Sequence, residues 1–212
     1  DELRGYVVGV VRHFRNDRRV QVWDVFNEPD NPNAHSYGRH GAGTELPNKA
    51  ETATLLLKKV FIWAREADPS QPLTAGVWRG DWSDPDVLAP YNRVMLEESD
   101  VVSFHSYADL PATRRRVESL RQYGRPILCT EYMSRGTGCR FDPVLGYLKK
   151  EDVGAYNWGL VAGKTQTNYP WETWRKPYTA EPDLWFHDIF RPDGTPYEPA
   201  EVKYIRELTG EQ

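Results

Sequence analysis

Two glutamates, Glu28 and Glu131, each close a short apolar run, Val22-Trp23-Asp24-Val25-Phe26-Asn27-Glu28 and Ile127-Leu128-Cys129-Thr130-Glu131. Runs this short, rich in β-branched and aromatic residues, are the signature of buried parallel strands. The pattern puts each carboxylate where a strand gives way to a loop. When strands and helices alternate around a barrel, that C-terminal rim collects the reactive side chains. A pair of carboxylates there can divide the work of glycosidic bond cleavage. One attacks as the nucleophile while the other serves first as acid and then as base. Either glutamate alone would read as an ordinary surface residue; the pair, with its flanks, carries the chemistry. The two are expected to face each other across one cleft, with Glu28 protonated near neutral pH and Glu131 ionised.

Elements able to position such a pair can be read along the whole chain. Leu3, Val7, Val10, Val11 and Phe14 recur at helical spacing, so residues 1–16 are predicted as an amphipathic helix ahead of the first strand, residues 20–26. A polar loop, residues 30–47, leads to a helix whose start at Asn48, with Glu51 three residues on, resembles a capping box. That helix should bury Leu56, Val60, Trp63, Ala64 and Ala67. Strands follow at 73–77, 101–107, 127–132 and 155–158, separated by helices at 87–97, from Ala112, and at 143–150. A long loop from Leu160 to about Tyr197 precedes a last helix from Pro199, stopped by Gly210. Within that loop, Asp193-Gly194 reads as a turn and the aromatics of residues 185–197 as its anchors.

Four of these segments carry a family resemblance. Asn27-Glu28-Pro29 resembles the acid/base signature of clan A, the retaining glycoside hydrolases built on (β/α)8 barrels, and Thr130-Glu131-Tyr132 resembles its nucleophile signature. Val101-Val102-Ser103-Phe104-His105-Ser106-Tyr107 is similar to the clan's strand six, and Ala155-Tyr156-Asn157-Trp158-Gly159 to its strand eight. The resemblance implies roles. Asn27 would bind the sugar 2-hydroxyl, Tyr107 would donate to the nucleophile, His105 would line the sugar site, and Trp158 would floor it. Trp78, Trp82, Trp171 and Trp174 fall on loops above the same rim and are further candidates for sugar contact.

The expected fold is therefore α/β: a partial TIM barrel of parallel strands four to eight with outer helices, forming a single incomplete domain over residues 1–212. Strands one to three have no counterpart here, a deficit of roughly 70–100 residues against a full barrel. Three explanations stand open. The chain is part of a longer product, or it completes itself by association, or its ends curl into a smaller barrel. Unpaired edges at the first and last strands invite pairing with another chain, so a homo-oligomer formed through the open side of the barrel is expected. The functional alternative to hydrolysis is a catalytically silent or assembly-dependent half-barrel that binds carbohydrate.

Composition narrows the remaining classes. A net charge of −4 gives no support to a nucleic-acid partner, and Arg114-Arg115-Arg116 reads as a solvated helix face. No apolar run reaches the roughly 18 residues of a membrane span. Cys129 and Cys139 are expected as free thiols. His35 and His40, in a Gly-rich loop without clustered carboxylates, fall short of a metal site, and no metal or cofactor is expected. No signal region stands in the chain, although a secreted or periplasmic setting fits this chemistry. Eight tryptophans among 212 residues agree with a carbohydrate partner, because indole planes stack on the apolar faces of pyranose rings.

Overall fold

The computed structural model describes residues 1–31 and 46–210. They gather into two compact units, residues 1–31, 46–104 and 119–127 in the first and residues 105–118 and 128–210 in the second. His35 and His40 lie outside the described residues.

In the first unit, helix α1 (Glu2–Phe14) carries Glu2 in its first turn and Arg12 and His13 in its last, which complements the helix dipole. Strand β1 (Trp23–Asp24) pairs in parallel with β2 (Leu73–Thr74), Trp23 opposite Leu73. The ladder continues to Val25, whose N–H donates to the Thr74 carbonyl at 2.9 Å. Parallel neighbours need a long crossover, and helix α2 (Lys49–Glu66) lies within it. Beyond β2, Val77 bridges in parallel to Phe104 of strand β3 (Val102–Ser106). Between them runs helix α3 (Pro90–Glu98), with a separate 3-10 turn at Pro85–Val87 before it. The predicted helix start at Val87 is thus wrong by one turn: Pro90 cannot supply an internal helix N–H and becomes the first residue instead.

Three further expectations need correction. Helix α2 buries Leu57, Val60, Phe61 and Ala64, an i, i+3, i+4, i+7 stripe, with Leu56 and Trp63 only half-buried. Val60, Ala64 and Ala67 are buried as expected, and the crowding of apolar residues in segment 55–63 leaves periodicity unable to choose Leu57 over Leu56 or Phe61 over Trp63. Asn48 is the N-cap of α2, but its side chain makes no capping hydrogen bond. In α1 the buried residues are Val8 and Val11, whereas Leu3 and Phe14 of the predicted stripe are exposed.

In the second unit, β4 (Ile127–Tyr132) pairs in parallel with β5 (Gly154–Asn157), and this sheet has the order β3–β4–β5. Helix α4 (Leu110–Arg121) separates β3 from β4 in sequence, and helix α5 (Phe141–Lys150) separates β4 from β5. Helix α6 (Pro199–Thr209) starts on a proline and stops at Gly210, whose φ of 78° is the left-handed conformation of a helix stop. A buried ion pair holds α6 in place: Arg135 grips the Glu201 carboxylate at 2.5–3.1 Å and lies over the Tyr197 ring. Tyr197 in turn stacks on Trp185, 4.6 Å between centroids. The predicted turn is present, with Asp193 accepting from the Thr195 N–H and Gly194 at φ 83°.

All five residues of β3 are buried, and both of β2, whereas β1 and β5 are only half-covered. Among the described residues no helix is long and apolar enough to cross a membrane.

Candidate active site

Glu131 belongs to β4 itself, one residue before its end, and the strand is irregular at this point. Cys129 lies opposite Ala155 and Tyr132 opposite Asn157, so Thr130 and Glu131 face the single residue Tyr156. Two residues against one make a β-bulge, a device that re-aims a side chain. Glu131 and Tyr132 are consequently both buried, although they are consecutive in a strand.

The re-aimed carboxylate meets His105 of β3 and Tyr107 just beyond it. The Tyr107 hydroxyl donates to Glu131 Oε2 at 2.7 Å, and His105 Nδ1 stands 3.5 Å from the same oxygen. His105 and Tyr107 alternate along an extended segment, which brings both to one face as their spacing requires. Tyr107 is itself held: its carbonyl accepts from Thr137, and its ring packs edge-on against Trp171 at 5.1 Å. A phenol hydroxyl at this distance stabilises the ionised carboxylate. The carboxylate, only 9 % exposed, thus has one oxygen held in a fixed direction by the phenol.

Four other features belong to the second unit. Trp171 opens a short 3-10 helix (Trp171–Trp174), stacks on Trp174 at 6.4 Å, and donates its indole N–H to His187 Nε2 at 3.0 Å. Trp158 follows β5 directly and is 45 % exposed, with its backbone N–H on the Tyr132 carbonyl. The two cysteines are free and fully buried, and burial raises both thiol pKa values. Arg116 departs from the solvated face predicted for its cluster. It is half-buried and donates to the His105 carbonyl, and burial lowers its pKa.

In the first unit, Glu28 lies beyond β1 on a turn. Its φ is 40°, in the region that side-chain-bearing residues rarely adopt. Asn31 closes the turn from both ends, its backbone N–H on the Glu28 carbonyl at 2.9 Å and its side-chain amide on Glu28 Oε2 at 2.5 Å. Asn27 is exposed beside it. The sequence around Asp30 reads only as a loop start. Its side chain is fully buried and accepts from the Trp78 indole at 2.7 Å and from Arg79 Nε at 2.8 Å. Trp78 is thus a half-buried ring with a tethered edge. Trp82 is a correction: only 3 % exposed, it packs against Phe104 and donates its indole N–H to the Arg79 carbonyl. It is a core residue with no face open to a sugar.

Comparison with protein-family models finds no match, and comparison with curated proteins finds none either. Solved structures do match. An endo-β-1,4-xylanase of glycoside hydrolase family 10 from Gloeophyllum trabeum aligns over 97 % of this chain and 66 % of its own, at 16 % identity and TM-score 0.55. An endo-β-1,4-mannanase from Thermotoga petrophila aligns over 100 % and 50 %, at 15 % identity and TM-score 0.59. A β-glucuronidase from Bacteroides uniformis aligns over 99 % and 25 %, at 14 % identity and TM-score 0.61. The chain thus spans between a quarter and two thirds of these proteins. At such identities the likeness is one of fold. The chain has the parallel α/β fold of the barrel-type glycoside hydrolases, in part.

Proposed function

We propose that the chain is a retaining β-glycoside hydrolase, or the part of one that carries its two carboxylates, acting on a polysaccharide or an oligosaccharide. The observation that carries this reading is Glu131, re-aimed by a bulge and gripped by the Tyr107 hydroxyl at 2.7 Å. The Glu131 carboxylate attacks the anomeric carbon while Glu28 gives its proton to the leaving oxygen, so the glycosidic bond breaks as the ester forms. Glu28 then takes a proton from the water that attacks the same carbon, and Glu131 leaves with its charge restored. This double displacement needs the two carboxyls about 5–5.5 Å apart. Asn27, His105, Trp158, Trp78 and Trp171 are the proposed sugar contacts, and no cofactor takes part.

Incubation with a panel of 2-deoxy-2-fluoro β-glycosides followed by peptide mass spectrometry tests the reading. Accumulation of a glycosyl ester on Glu131 is the expected result. Products of inverted anomeric configuration would rule out the retaining mechanism. The alternative, a domain that binds carbohydrate silently or acts only when assembled, predicts saccharide binding by calorimetry with no trapped ester. Self-association is proposed in the same spirit: Tyr156, Leu160 and Val161, on and just after the outer strand β5, are 45–59 % exposed, and apolar patches of this kind mark interfaces. Light scattering across a concentration series measures it directly.

A further inference from the structure

His187 is among the most deeply buried polar residues of the second unit, at 1 % exposure, and the double displacement makes no use of it. Both of its ring nitrogens are nevertheless engaged. Nδ1 stands 2.8 Å from the Met133 carbonyl, and Nε2 stands 3.0 Å from the Trp171 indole nitrogen. A carbonyl can only accept and an indole N–H can only donate. The imidazole must therefore carry its single proton on Nδ1 and present a lone pair at Nε2. No other tautomer, and no doubly protonated ring, satisfies both partners.

The two partners are not arbitrary. Met133 lies two residues beyond Glu131, with φ at 67° in the left-handed region, where the chain turns away from β4. Trp171 packs edge-on against Tyr107, the residue that donates to Glu131. One buried ring thus ties the backbone leaving Glu131 to the indole standing beside the Glu131 donor. It also packs against Tyr107 directly, 5.3 Å between centroids. Beyond Trp171, the parallel ring of Trp174 is half exposed, so the ordered indole continues outward as an aromatic surface.

We propose that His187 is a positioning residue: its neutral imidazole sets the plane of Trp171 against Tyr107 and so shapes the sugar subsite beside Glu131. The proposal rests on the glycosidase reading for its consequence, and on geometry alone for the latch itself. Burial supports it by holding the ring below its ordinary pKa, with the nearby Arg135 cation acting in the same direction. The groups that face it are Arg135, Tyr107, Trp171 and Phe186, none of them an anion that would favour the imidazolium.

Two variants test it by nuclear magnetic resonance and kinetics. Trp171→Phe identifies the Trp171 indole resonance by its loss, and it removes the hydrogen bond without touching the buried ring. His187→Phe keeps an aromatic ring in place and removes both bonds. The expected result is an upfield move of the Trp171 indole proton in His187→Phe and a changed His187 Nε2 nitrogen shift in Trp171→Phe. With 4-nitrophenyl β-glycosides, each variant should raise KM by about tenfold, the worth of one such bond, with little change in kcat. The double variant should be no worse than either single one, as for residues acting as one unit. An unmoved indole resonance in His187→Phe, or single effects that multiply in the double variant, would overturn the proposal. Should the unmodified protein turn over no glycoside at all, the enzyme reading fails. The latch is then upheld or overturned by the two resonance shifts alone.

Discussion

Glu131 and Glu28 are held by opposite strategies. Glu131 stands inside a strand, is buried, and takes its direction from a bulge and a phenol donor. Glu28 stands beyond a strand end, on a turn with a left-handed φ that Asn31 closes. Strand placement fixes a backbone through ladder hydrogen bonds shared with neighbours, so the Glu131 carboxylate inherits its position from the core. The turn of Glu28 is local and stores strain on the order of 1–3 kcal/mol. A group that must stay ionised and attack one carbon benefits from the first arrangement. A group that must carry a proton, lose it and regain it suits the second, where a short segment can adjust.

This contrast can be broken at either end. The largest effect is expected for Glu131→Gln, which removes the proposed nucleophile and should lower turnover by at least about 10³-fold for every leaving group. Glu28→Gln should depend on the leaving group: a loss of about 10²–10⁴-fold on alkyl glycosides, and far less on nitrophenyl glycosides, which need no acid. Equal losses on both substrates would remove Glu28 from the acid's role. Tyr107→Phe should cost about 10–100-fold in kcat, the worth of a hydrogen bond to a charged group. Asn31→Ala, the counterpart for Glu28, should cost no more than about tenfold, because the turn keeps its backbone hydrogen bond. Steady-state rates on one aryl and one alkyl glycoside measure all four.

The smallest effect separates the two regions by pH. Burial lowers the pKa of His187 below its unfolded value near 6.5, so the unfolded chain binds more protons in the window just beneath. The His187 contribution to stability is therefore complete above about pH 6.5 and is lost as pH falls through the folded value, at no more than about 1.4 kcal/mol per pH unit. Asp188, whose pKa burial raises, acts with the opposite sign at lower pH. Denaturant titrations from pH 8 to 5 should show the decline, and His187→Phe should flatten it.

Much of this was legible from residue pattern. Each of the five predicted strands overlaps an observed one, because short β-branched runs bounded by helical stretches have few other readings. His105 and Tyr107 reach Glu131 because alternation along a strand leaves them no other face. What pattern could not convey was register. The bulge at Thr130–Glu131 depends on how β5 pairs, and a two-against-one mismatch leaves no trace in either strand's own sequence. Trp82 and Trp78 are equivalent by composition and loop position, yet one fills the core and the other is tethered by Asp30. Asp30 and His187 carry no local signal for a related reason: their partners lie 48 and 16 residues away in sequence, respectively. In α2 the expected Val60, Ala64 and Ala67 are buried, but Leu57 and Phe61 take the places given to Leu56 and Trp63, because apolar residues crowd positions 55–63.

The two buried thiols turn the protein into its own clock. Cys129 sits in the strand that carries Glu131, and Cys139 pairs backbone to backbone with Ser134 in the turn beyond it. With both held as unreactive thiols, a cysteine reagent can label either one only when its surroundings come apart. The ratio of the two labelling rates therefore records the order in which strand and turn loosen. Should Cys139 react many times faster than Cys129, the turn beyond the strand frays while the seat of the carboxylate stays intact.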